Sequence, residues 1–169
     1  MHQIKIDSTD GSEIVTLTEA KEYARIDTSA DDALVTSMIV SARQALETYL
    51  SRDIVAKTRS YWFPSSIDGC INLPFPPIAS ITSVISNAIA LPYTSYGFDD
   101  KYIQLTSYPA KNIEIVFVTA GMTNDDLKTS IKMLVATYYD NREDFVSGTT
   151  SLLPIDARQR VSGLKYMFI

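Results

Sequence analysis

The chain has 169 residues, of which 46% are hydrophobic, 21% charged and 10% aromatic. That length suits one ordinary globular domain with room for a small inserted subdomain, burying roughly 70% of its unfolded surface. A single Cys (Cys70) and a single His (His2) exclude a Cys/His zinc site and any disulfide within the chain.

Other chemistry falls away for similar reasons. A Ser-His-Asp or Cys-His apparatus would have to recruit His2 from the terminal segment, so no catalytic residue is expected. Cys70 reads as a small buried hydrophobe. No uncharged apolar run approaches the ~20 residues of a membrane span, so no membrane partner is expected. The opening Met1-His2-Gln3-Ile4-Lys5-Ile6-Asp7 lacks a signal peptide's basic-then-apolar grammar, which implies folding in the cytoplasm. The net charge of −5 falls entirely within residues 1–32, where Lys5, Lys21 and Arg25 stand against eight acids. After Asp156 the chain carries Arg158, Arg160 and Lys165 and no acid. This is no basic stripe for duplex DNA.

Residues 3–15 read as a short hairpin around Asp10-Gly11, with Ile4 and Ile6 on one side of an alternating strand. Thr16 and Glu19 have capping-box spacing, and Val15 and Ala20 occupy the flanking staple positions. A first helix therefore starts at Thr16 and ends near Arg25-Ile26. Thr28 through Asp32 give a second start signal, a hydroxyl followed by acids at the positive end of a helix dipole. Leu34, Val35, Met38, Ile39, Ala42, Ala45, Leu46, Tyr49 and Leu50 then recur at three- and four-residue steps, the strongest periodicity in the chain.

The middle of the chain changes period. Residues 54–63 read as a strand ended by Pro64, and Ile71-Asn72-Leu73 as a short strand before Pro74, Pro76 and Pro77. Residues 81–86 and 89–91 flank a turn at Asn87-Ala88. Residues 93–98 and 102–105 flank Asp99-Asp100, and Ile113, Ile115 and Phe117 mark a final strand. Asn124 and its neighbours cap a third helix with Leu127, Ile131, Leu134, Val135, Tyr138 and Phe145 on one face, and Ile155 to Val161 supply one or two more turns. The expected fold class is α+β. Two helical stretches, about 16–52 and 123–161, bundle around an inserted antiparallel β unit, about 54–118, with an extension at 162–169.

The remaining constellations are weak. Six glycines provide neither a phosphate loop nor a dinucleotide fingerprint, so no cofactor is expected. Asp31-Asp32 and Asp125-Asp126 sit where helix starts favour acids, and Asp99-Asp100 sits in a turn, so no metal is expected either. Tyr93, Tyr96, Tyr102 and Tyr108 cluster in the β unit and suit either an interface or an exposed sheet face.

The order of these elements resembles the phage head–tail connector proteins, also called adaptors or head-completion proteins. The likeness rests on Val15-Thr16-Leu17-Thr18-Glu19-Ala20-Lys21, Arg25-Ile26-Asp27 and Asp31-Asp32-Ala33-Leu34. It continues through Ala42-Arg43 to Tyr49, Ile71-Asn72-Leu73-Pro74 with Pro76-Pro77-Ile78, and Ile131-Lys132 to Asn141-Arg142-Glu143. Leu153-Pro154 falls where the family has a Leu-Pro, whereas Gly121-Met122 departs from its Gly-Tyr. The resemblance implies a structural virion protein in the head–tail neck: a homo-oligomeric ring of about twelve subunits. Such a ring docks under a portal protein, meets a stopper or other tail-side neck protein, and extends the DNA channel without sequence-specific binding. Arg43, Glu47, Arg52, Arg142 and Glu143 are the expected subunit contacts, and Leu164, Tyr166 and Phe168 the expected portal-docking residues. Within residues 164–169, apolar side chains on both faces of an extended tail suit strand addition to a neighbour, the alternative being pairing within its own subunit. Other neck components (a stopper or tail terminator) and, more remotely, a small metal-dependent hydrolase are the competing readings.

Overall fold

The computed structural model describes residues 2–99, 101–141 and 155–166. The fold is α+β, as the two hydrophobic periods require, and the chain divides into two compact units. One comprises Met1–Ser12 with Val55–Met122. The other starts at Glu13–Ile54 and resumes at Thr123.

The helical unit is built from local signals. Helix α1 (Leu17–Ala24) opens on the capping box: Thr16 Oγ1 accepts from the Glu19 amide, and the Glu19 carboxylate accepts from the Thr16 amide. It stops at Arg25, which adopts left-handed backbone. Helix α2 (Asp32–Leu50) buries Val35, Ile39, Ala42, Leu46 and Leu50 along its stripe. Its N-cap is Asp31, while Thr28 caps the turn before it by accepting from the Ala30 amide. Helix α3 (Asp125–Asp140) is capped by Asn124 and packs against α1, α2 and the short α4 (Ile155–Val161). Here Leu127, Ile131, Leu134 and Val135 are buried.

The β unit holds two antiparallel sheets. Strands β1 (Gln3–Thr9), β2 (Lys57–Ser66), β4 (Ile78–Ser86), β5 (Ile89–Ala90) and β8 (Ala110–Thr119) form the first, ordered β1-β2-β8-β4-β5. Strands β3 (Cys70–Asn72), β6 (Tyr93–Tyr96) and β7 (Tyr102–Leu105) form the second, ordered β3-β7-β6. Their common core includes Tyr61, Ile71, Ile103, Leu105, Ile113, Ile115 and Phe117. Burial pushes the Tyr61 phenol pKa up.

Three expectations are corrected here. Residues 3–15 make no hairpin, because β1 pairs with β2, with Ile4 opposite Tyr61. At Asp10-Gly11 the chain instead closes onto Ala56, whose carbonyl accepts from both amides; a Cβ on Gly11 would lie 2.8 Å from Val55. Strand β2 continues past Pro64, because β1 has already ended and that edge of β2 is open, so the missing amide breaks no ladder. Cys70 is exposed rather than buried, because the two-residue period of β3 gives Ile71 the inward position.

Candidate interaction surfaces

The four-residue spacing of Arg43 and Glu47 puts both on one face of α2, and that face is turned inward. Arg43 Nε donates to both carboxylate oxygens of Glu13 at 2.9 Å, and Nη1 donates to Glu47 Oε2 at 2.7 Å. Glu47 Oε1 accepts from the Ile54 amide at 2.9 Å. The chain enters the helical unit at Glu13 and leaves it at Ile54, so this network clasps both crossing points to α2. Arg43 and Glu47 are 4% and 6% exposed. The two residues expected at the surface as subunit contacts are therefore engaged inside their own chain. The signal for this was present in the spacing, since a pair at this separation along an apolar stripe satisfies itself.

Arg52 lies just beyond α2, with its guanidinium 5.6 Å from the Tyr166 ring. Leu164 closes a 3-10 turn (Ser162–Leu164), and the Tyr166 amide donates to the Leu50 carbonyl at 2.8 Å. Up to Tyr166, then, the extension is docked on the last turn of α2, where it satisfies an orphan carbonyl. Over 164–166 the chain thus forms a turn and a helix contact where the expected strand would begin, and residues 167–169, Phe168 among them, lie outside the described residues. Arg142, Glu143 and Phe145 lie outside them too.

Two opposite ends of the helical unit carry features that sequence reasoning missed. At the start of α2, Leu17, Thr18, Lys21, Glu22, Arg25, Ile26, Asp27 and Asp32 line a groove of about 510 Å³. Lys21 reaches Asp32 at 2.5 Å across it, and the Tyr139 hydroxyl donates to Asp31 at 2.6 Å nearby. At the other end, the Tyr49 ring has Arg158 5.1 Å and Lys165 5.0 Å from its centroid. The acid-free stretch after Asp156 was the available signal; Tyr49 was read only as a stripe residue.

In the β unit, Tyr96 and Tyr102 stack at 5.2 Å on the exposed face of the small sheet, and Tyr108 is also exposed. Tyr93 turns inward and donates to the Ile81 carbonyl. His2 stacks on Phe63 at 4.3 Å. Among the described residues no group of three or more His, Cys, Asp or Glu side chains is arranged to hold a metal ion, and no helix is long and apolar enough to cross a membrane.

A capped helical unit interrupted by an antiparallel β unit is thus the class this chain defines. Residues 14–90 match the family model of the phage gp6-like head-tail connector proteins, so the resemblance read from the sequence is shown over that stretch. No curated protein matches. Among solved structures, a chain from the virion of a native gene transfer agent particle superposes with a TM-score of 0.76 at 17% identity, covering 98% of this chain and 96% of that one. A chain from the neck of an empty gene transfer agent particle, computed with C6 symmetry, gives 0.74 at 17% identity over 99% and 97%. A third, from the neck of the native particle computed with C12 symmetry, gives 0.63 at 16% identity over 96% and 97%. These likenesses establish a shared fold along nearly the whole chain.

Proposed function

We propose that this protein is a head–tail connector: a structural virion component that forms a homo-oligomeric ring in the neck. The observation that carries this reading is the connector family match over residues 14–90, joined to an end-to-end fold likeness with neck chains. The neck symmetries of those particles, C6 and C12, support a ring of about twelve subunits. In this reading the ring docks under the portal, receives a stopper or other tail-side protein below, and passes DNA through its lumen. The acidic excess in residues 1–32 suits a conduit, because a wall poor in positive charge does not hold passing phosphates. Arg52, Arg142 and Glu143 stand as candidate subunit contacts, and Phe168 as a candidate portal contact.

The test is reconstitution of the full chain with its portal protein, followed by electron microscopy and native mass measurement. A closed ring coaxial with the portal is the expected product. Particles in which the chain is absent from the neck overturn the reading.

A further inference from the structure

Resting on the ring reading, we infer that adjacent copies join head to tail through two unlike ends of the helical unit. The cation pair around Tyr49 on one copy receives Glu22 and Asp27 of the next. The chain's net charge is carried by the acids of residues 1–32. Asp7 is engaged by Lys5 and Ser60, Asp10 by Ser8 and Thr58, and Glu13 by Arg43. Glu19 is engaged by Thr16, Asp31 by Tyr139 and Asp32 by Lys21. Glu22 and Asp27 are left. Both are exposed, both line the groove at the start of α2, and no hydrogen bond or ion pair among the described residues holds either carboxylate.

The opposite end has the complementary need. Arg158 and Lys165 flank one ring, so their charges lie no more than about 10 Å apart. That is about one Debye length at 0.1 M salt and well within one at low salt, close enough there for the two exposed cations to repel. A carboxylate set between them relieves the repulsion. Beside them Tyr49, Ile155, Arg158, Gln159 and Ser162 line a pocket of about 200 Å³, the size for a side chain rather than a domain. Ile155, 65% exposed, offers apolar surface to the Leu17 and Ile26 side of the groove.

One copy cannot make this contact with itself. The groove lies at the first residue of α2 and Tyr49 at its last turn, about 25 Å apart at 1.5 Å per residue. Two different patches that meet between copies make a heterologous interface, which closes into a ring when the rotation permits.

The experiment uses two reversed full-length chains. One carries Arg158→Glu with Lys165→Glu, the other Glu22→Lys with Asp27→Lys, and each is checked for native circular dichroism and melting temperature. Native mass measurement at low salt should find the ring fraction of each chain alone reduced by about tenfold or more, since like charges now face each other. Mixing the two chains should restore rings, because every contact in an alternating ring is again opposite in sign. Rings that persist in either reversed chain alone overturn this contact and leave the ring reading standing. Reversed chains that each stay apart and fail to recover on mixing also overturn it. A wild-type chain that forms no ring even when mixed with its portal protein overturns the ring reading, and this contact with it.

Discussion

The helical unit and the β unit of this chain differ in what their buried charge holds together. The helical unit buries charge: Arg43, Glu47 and Asp53 are all withdrawn from solvent, and Arg43 and Glu47 bind the entering and leaving segments through Glu13 and the Ile54 amide. The β unit buries cations too, Lys57 and Arg59 of β2, but beside a large hydrophobic cluster of apolar side chains with one phenol, Tyr61. A buried ion pair contributes little net stability yet is costly to break by removing one partner, whereas apolar packing stabilises directly through burial.

This comparison breaks most sharply at its two centres. Phe117→Ala empties a fully buried ring position near the end of β8 and should cost about 3–5 kcal/mol. Glu47→Ala should cost about 3 kcal/mol by a different route: it leaves the buried Arg43 guanidinium with Glu13 alone and strands the Ile54 amide. Denaturant unfolding separates the two routes through a second variant. Arg43→Met combined with Glu47→Leu removes both buried charges, leaves the partly exposed Glu13 carboxylate to water, and should recover part of the loss, leaving about 1–3 kcal/mol for the unsatisfied amide. A double variant no more stable than Glu47→Ala would show that the network acts through packing instead.

The same contrast explains how much of the fold was legible. Helix starts are written within a few residues, so Thr16 with Glu19 located α1, and the stripe from Leu34 to Leu50 located α2. The connector resemblance drew on those same segments and holds over residues 14–90. The β unit depends on partners distant in sequence. Pairing of β1 with β2 joins Gln3 to Trp62, and no pattern within residues 3–15 announces it; the local Asp-Gly signal pointed to a hairpin. Cys70 was misplaced for a related reason, since a three-residue strand shows its inward side only after its partner is known. Of the candidate contacts, Arg43 and Glu47 were read by charge when their spacing described a self-satisfied pair. The Tyr49 cluster escaped because its members are separated by more than a hundred positions.

A smaller effect sharpens the helical side. Thr16→Ala removes the cap that accepts from the Glu19 amide and should cost about 1 kcal/mol at neutral pH. Hydrogen bonds from the Thr16 amide and hydroxyl hold the Glu19 carboxyl below the usual glutamate range. A pKa lowered by folding stabilises the fold above the unfolded value, and that contribution disappears as pH falls through the lowered value. The wild-type advantage over Thr16→Ala should therefore shrink on acidification through that window. Melting curves at neutral and acid pH measure it, and a gap that widens in acid would refute the capping-box account.

The smallest change belongs to the β unit and should raise stability. Asn87 and Ala88 join β4 to β5 with φ of 49° and 65°, both in the left-handed region that a two-residue hairpin turn requires. Asn tolerates that region, while for Ala the Cβ crowds the following carbonyl at a cost of about 1–2 kcal/mol. Ala88→Gly relieves the crowding but admits more freedom to the unfolded chain, which returns about 0.4–1 kcal/mol. The balance favours the variant by a few tenths to about 1 kcal/mol, read as a small rise in denaturant midpoint with an unchanged slope. The helical unit provides the control at Ser51, which also adopts φ of 53° as the C-cap of α2. If Ser51→Gly stabilises and Ala88→Gly does not, the β4–β5 turn has relaxed out of left-handed backbone in solution, and the strain resides only at the helix end.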